Sequence, residues 1–140
     1  MTDINVLENK VAYIQKYLAK AERYLTYSQK QIEESDDLRG AVERYLYLLA
    51  ESCISLAEAI VSFQNLRKPS YAREAFDILA EEKILPKAFT NEFGRIVGFR
   101  NALAHDYEEL DFSIVYDVLH NKLASIKQFL RYVQDRFNLQ

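Results

Sequence analysis

The sequence predicts an all-α protein, an up-and-down antiparallel bundle of four to five helices forming one domain over residues 1–140. Three observations carry that expectation. Apolar residues recur at steps of three and four over most of the chain, the period of one helix face. Only three glycines and two prolines are present, little material for hairpin turns. The breaks between apolar runs are short, which favours antiparallel neighbours.

Ile4, Leu7, Val11, Ile14, Leu18, Ala21, Leu25, Ser28 and Ile32 form one seam, long enough for about eight helical turns. Asp36 and Asp37 then favour a helix start, because acidic side chains accept from free N–H groups and suit the positive end of the helix dipole. The second helix is expected to bury Leu38, Val42, Tyr45, Leu49, Cys53, Leu56, Ile60 and Phe63. Pro69-Ser70 closes the connection, with Ser70 the expected N-cap of a short third helix reaching about Glu82. Ile84-Leu85-Pro86 turns the chain. A fourth helix carries Phe89, Phe93, Ile96 and Val97 and runs on towards His105. Asp111 or Ser113 caps the last helix, whose stripe is Phe112, Tyr116, Leu119, Leu123, Ile126, Leu130, Val133 and Phe137. No repeat, linker or low-complexity segment stands out.

Composition narrows the function classes. Hydrophobic residues make up 49% of the chain, with no run expected to span a bilayer and nothing at the N-terminus resembling a signal peptide. Cys53 is the sole cysteine, so no internal disulfide can form, and its expected place is the core. A cytoplasmic protein without membrane association is the expectation. A net charge of −3 gives no broad electrostatic footprint for nucleic acid. Any nucleic acid must then be held by a local patch or a groove between subunits.

One stretch looks like chemistry rather than packing: Arg100-Asn101-Ala102-Leu103-Ala104-His105-Asp106-Tyr107. Arginine offers a fixed fork of donors suited to a phosphate. Histidine can give and take a proton near neutrality, and tyrosine adds a hydroxyl that can be modified. On one regular helix Arg100 and His105 lie roughly 140° apart, whereas Arg100 and Tyr107 share a stripe within about 20°. Either the helix ends near His105, or a second copy of the motif completes the site. Gly98 permits close backbone approach, which favours a tight helix or subunit contact. Asn101, four residues before His105, shares its face and is a candidate to orient the imidazole. No set of carboxylates, His and Cys has metal-ligand spacing, and neither a metal nor another cofactor is expected.

Gly98-Phe99-Arg100-Asn101-Ala102-Leu103-Ala104-His105-Asp106-Tyr107, preceded by Pro69-Ser70-Tyr71 and Ile84-Leu85, resembles the HepT-type toxins of the HEPN superfamily. The run Arg39-Gly40-Ala41-Val42-Glu43-Arg44 followed by Glu51 agrees, as do Val115-Tyr116 and the amphipathic last helix. The resemblance covers about Asp36 to Phe137. It implies a HEPN-like bundle that dimerises, or assembles further, with its motifs facing one another. It implies a metal-independent ribonuclease with Arg and His at the cleft. It also implies a cognate MntA-type nucleotidyltransferase antitoxin that transfers AMP to the motif tyrosine. Every position of Arg-x-x-x-x-His-x-Tyr is filled, so these roles fall on Arg100, His105 and Tyr107.

Each residue also has a plain structural reading. Arg100 can pair with Glu92 or another acid on the helix surface, and His105 can simply end a helix. Arg39 and Arg44 are candidates for RNA contact, although cations on a helix surface usually face solvent. Tyr13, Tyr17, Tyr24 and Tyr45 read as amphipathic bundle residues, and His120 as structural or exposed. Two functions remain: an endoribonuclease toxin neutralised at Tyr107, or a non-catalytic HEPN-like module that binds nucleotide or scaffolds a minimal nucleotidyltransferase. A binding module has no need for an Arg, a proton-transferring His and a modifiable Tyr together.

Overall fold

The computed structural model describes residues 3–105 and 110–140, and these are helical as expected. Helix α1 (Ile4–Glu22) starts where the Asp3 carboxylate accepts from the N–H groups of Asn5 and Val6. It buries Leu7, Val11, Ile14, Leu18 and Ala21, the first five turns of the expected seam. The seam does not continue as one helix. Ser28 and Gln31 form a reciprocal capping box, at 3.1 and 2.8 Å, that starts a separate short helix, α2 (Gln29–Glu33). Leu25 swings outward to 37% exposure, and the apolar face returns only at Ile32.

Helix α3 (Asp36–Phe63) is capped by Ser35, whose hydroxyl accepts from Leu38 N–H; Asp36 and Asp37 lie in its first turn. Its buried residues exceed one stripe: Leu46, Ala50, Ile54, Ala57 and Val61 join the predicted Val42, Leu49, Cys53, Leu56 and Ile60. A helix apolar on several sides is a central helix, and α1, α2, α4 and α6 pack against it. By length and composition alone it could cross a membrane, which corrects the expectation that no run is long enough; most of its apolar window is buried inside the bundle. Burial pushes the Cys53 thiol up, as its core position requires.

Helix α4 spans Ala72–Glu81. Its N-cap is Tyr71 rather than the expected Ser70, because the Glu74 carboxylate reaches back to accept the Ser70 N–H at 2.7 Å. The expected fourth helix is divided into α5 (Lys87–Phe93) and α6 (Ile96–His105). Arg73 of α4 lies across the junction, donating to the Asn91 carbonyl, and its guanidinium fills the space a side chain at Gly94 would need. Asp111 caps α7 (Phe112–Asp117) through Ser113 N–H and Oγ. The chain then passes through one wide π turn, Val118–Lys122, into α8 (Leu123–Phe137). Phe76, Phe93 and Phe129 meet in the core with ring centroids 4.9 to 6.0 Å apart, a large apolar burial joining α4, α5 and α8.

Candidate active site

Helix α6 is short and exposes much of its surface; Leu103 is its one fully buried residue, and it lies along α3. Packing thus fixes one side of α6 and leaves the other sides to polar groups. Arg100 uses this placement. Its Nη1 donates to Glu51 Oε1 of α3 at 2.6 Å and its Nε to the Asn101 side-chain oxygen at 2.8 Å. Glu51 also accepts the Tyr47 hydroxyl at 3.1 Å on its other oxygen. Tyr47, Glu51, Arg100 and Asn101 therefore form one chain of hydrogen bonds across the α3–α6 contact. The Arg100 side chain is 19% exposed, enough to meet a ligand and too little to wander.

A guanidinium has five N–H donors, and the described residues engage two of them. The remainder can meet a phosphate with the fork already oriented. Arg100 pairs with an acid, as its structural reading allowed, but the acid is Glu51; Glu92 pairs instead with Arg95 at 3.7 Å. Asn101 steadies the guanidinium. No hydrogen bond joins it to the imidazole among the described residues.

His105 ends the described part of α6 and is exposed. Tyr107 lies outside the described residues. Gly98 is exposed, with nothing within 4 Å of where a Cβ would stand, so the close approach expected there is not made within the described chain. Arg39 and Arg44 separate. Arg39 is tied into the fold, bonded to Glu43 at 3.2 Å and lying 4.9 Å from the Phe112 ring centroid. Arg44 is exposed above the Tyr47 ring and lines a groove of about 360 Å³ with Tyr47, Leu103 and Ala104, beside the end of α6. His120 stacks on Tyr116 at 4.2 Å in the π turn. Among the described residues, no group of three or more His, Cys, Asp or Glu could hold a metal ion.

Sequence reasoning assigned no role to Glu51 or Tyr47. Their spacing of four residues on one helix face was readable, but their link to Arg100, 49 positions away from Glu51, needed the fold.

The fold places the chain in a class, the HEPN toxins. With a TM-score of 0.85, the structure matches a tri-AMPylated HEPN toxin of Shewanella oneidensis in complex with MNT antitoxin; identity is 27%, covering 96% of this chain and 99% of that one. Within that class the chain matches the Ribonuclease HepT-like family over residues 14–133, and it belongs to that family. Its relatives include the mRNA nuclease HepT of Shewanella oneidensis, 28% identical over 126 residues, covering 90% of this chain and 94% of the relative. The tRNA nuclease HepT of Aphanizomenon flos-aquae is 24% identical over 135 residues, covering 95% and 92%.

Proposed function

We infer that the protein is a metal-independent endoribonuclease toxin of a toxin–antitoxin pair, cutting RNA at an Arg100/His105 cleft. One observation carries the reading: Glu51 and Asn101 hold Arg100 with donors to spare, on the helix that ends in exposed His105. RNA brings its own nucleophile, the 2′-hydroxyl. His105 takes that proton as the oxygen attacks the neighbouring phosphorus, and an imidazolium returns a proton to the departing 5′-oxygen. Arg100 meets the charge that grows on the phosphate oxygens. The products are a 2′,3′-cyclic phosphate and a 5′-hydroxyl, and no step calls for a metal.

One chain supplies one motif histidine, whereas the reaction needs a base and an acid. A homodimer with two motifs facing across the cleft supplies both, and exposed Gly98 allows close approach by a partner. Neutralisation is assigned to a cognate MntA-type nucleotidyltransferase that transfers AMP to Tyr107. The added phosphate would then occupy the Arg100 fork. The relatives' names, an mRNA nuclease, a tRNA nuclease and an AMPylated toxin in complex with MNT antitoxin, support this reading.

The test is to incubate the purified protein and its His105→Ala variant with total RNA in chelator and to determine the new ends. Cyclic or 3′-phosphate ends made only by the wild type are expected. Activity abolished by chelation would overturn the metal-independent reading, and no cleavage at all would favour the scaffold module. Co-expression with the nucleotidyltransferase should add AMP to the Tyr107 peptide by mass spectrometry. Toxicity fully suppressed with that peptide unmodified means inhibition by binding.

A further inference from the structure

The face between α1 and α3 carries an arrangement that the Arg100 network does not account for. Lys10, Tyr13, Tyr17 and Lys20 follow at steps of three and four and so share one flank of α1. Their rings continue across the helix boundary, with centroids 4.7 Å apart for Tyr13 and Tyr17, 6.1 Å for Tyr17 and Tyr45, and 6.0 Å for Tyr45 and Tyr24. Cations lie over them: Lys16 Nζ is 6.0 and 5.5 Å from the Tyr13 and Tyr17 centroids, and Lys20 Nζ 5.9 Å from that of Tyr45.

The inner rings pack against the core as bundle residues, but Tyr13 remains 44% exposed. Its hydroxyl donates to Tyr17, a bond that holds the Tyr13 phenol above its ordinary value. Three acids of these helices are paired: Glu22 with Lys127, Glu43 with Arg39, and Glu51, at the edge of this face, with Arg100. A chain of net charge −3 therefore keeps a local positive stripe here. The stripe borders a groove of about 440 Å³ lined by Lys10, Tyr13, Leu48, Glu51 and Ser55. Glu51 is the carboxylate that holds Arg100, so the groove and the site share a residue.

The geometry points to a single-stranded RNA track on this face, in which Tyr13 stacks an unpaired base while Lys16, Lys20 and Arg44 bind the phosphates leading towards Arg100. Aromatic platforms with interleaved cations suit single strands, because every base has a π face and only an unpaired base can present it. The track rests on the ribonuclease reading of the Arg100 site and states how that substrate is held.

Binding of a short labelled oligouridylate, alone and annealed to its complement, is measured by anisotropy in the His105→Ala background so that nothing is cut. The single strand should bind more tightly than the duplex. Adding Tyr13→Ala should weaken single-strand binding about tenfold, while Tyr13→Phe keeps the ring and the affinity. Lys16→Ala with Lys20→Ala should flatten the plot of log affinity against log salt by about 1.4, two phosphates at about 0.7 each. Unchanged affinity in a folded Tyr13→Ala protein overturns the track. So does a Tyr13→Ala protein that falls apart into monomers with RNA affinity intact, since the face would then belong to a second copy. The two readings fail separately. Tyr13-dependent binding by a wild-type protein that cuts no RNA keeps the track and sinks the nuclease; cleavage with unchanged KM in Tyr13→Ala does the reverse.

Discussion

Arg67 and Arg100 are both held by glutamates, and the difference between them separates a clamp from a site. Arg67 turns every nitrogen to an acid: Nη2 and Nε to Glu81 at 2.7 and 3.3 Å, and Nη1 to Glu74 at 3.4 Å. The pairing raises the Arg67 guanidinium and holds the Glu81 carboxyl below its ordinary range. This fork fastens the α3–α4 connection to α4, with a carboxylate facing each of its three nitrogens. Arg100 is the less exposed of the two, yet one of its two holders is the neutral Asn101, and no described residue engages its Nη2. An arginine held from one side and open on the other is poised for an anion.

The largest effect should come from opening that comparison at its centre. Arg100→Ala and His105→Ala should each lower RNA cleavage by about two orders of magnitude or more, with the unfolding midpoint of Arg100→Ala close to that of wild type. Near-normal cleavage by Arg100→Ala would make Arg100 a second clamp. Glu51→Gln keeps the shape but releases the fork, and should cost about tenfold through misplacement of the guanidinium, mostly in kcat. Joined to Arg100→Ala it should add nothing, which a double-mutant cycle reads directly. Tyr47→Phe removes one hydrogen bond from Glu51 and should cost about three- to fivefold in cleavage rate.

Arg67→Ala should leave cleavage unchanged and lower Tm by about 3 °C or less, as befits exposed pairs. Its pH signature has a definite sign. Because the folded Glu81 carboxyl sits below its unfolded value, its stabilisation is present above the ordinary carboxylate range and fades as pH falls through the depressed value. Melting curves of wild type and Glu81→Gln should therefore converge on the acid side. Divergence there would mean the fork is not closed as described.

Legibility in the sequence followed locality. The buried stripes of α1, α3 and α8 were readable because helical period alone sets them. Arg100, Asn101 and His105 were readable as candidates because they stand within one short stretch. Tertiary contacts were not. Glu51 met Arg100 only through helix packing, and the Arg73 guanidinium that lies against Gly94 comes from α4. The break between α1 and α2 is a different case: Ser28-x-x-Gln31 is a local start signal, outweighed in the reading by an apolar seam that ran through it. Arg39 and Arg44 look alike in sequence. Only the Phe112 ring and Glu43 show that the first belongs to the fold.

The π turn at Val118–Lys122 gives the last helical stretch a tolerance to changes in length. A turn of this kind holds about one residue more than an α turn, so it takes up an inserted residue without rotating the helices on either side. Leu119 and Leu123 both remain buried across it. Losing one of the intervening exposed residues, such as His120 or Asn121, would shorten their spacing from four to three, which still keeps both on one helical face. Deleting His120 should therefore leave the core packed, with a Tm close to that of the wild type.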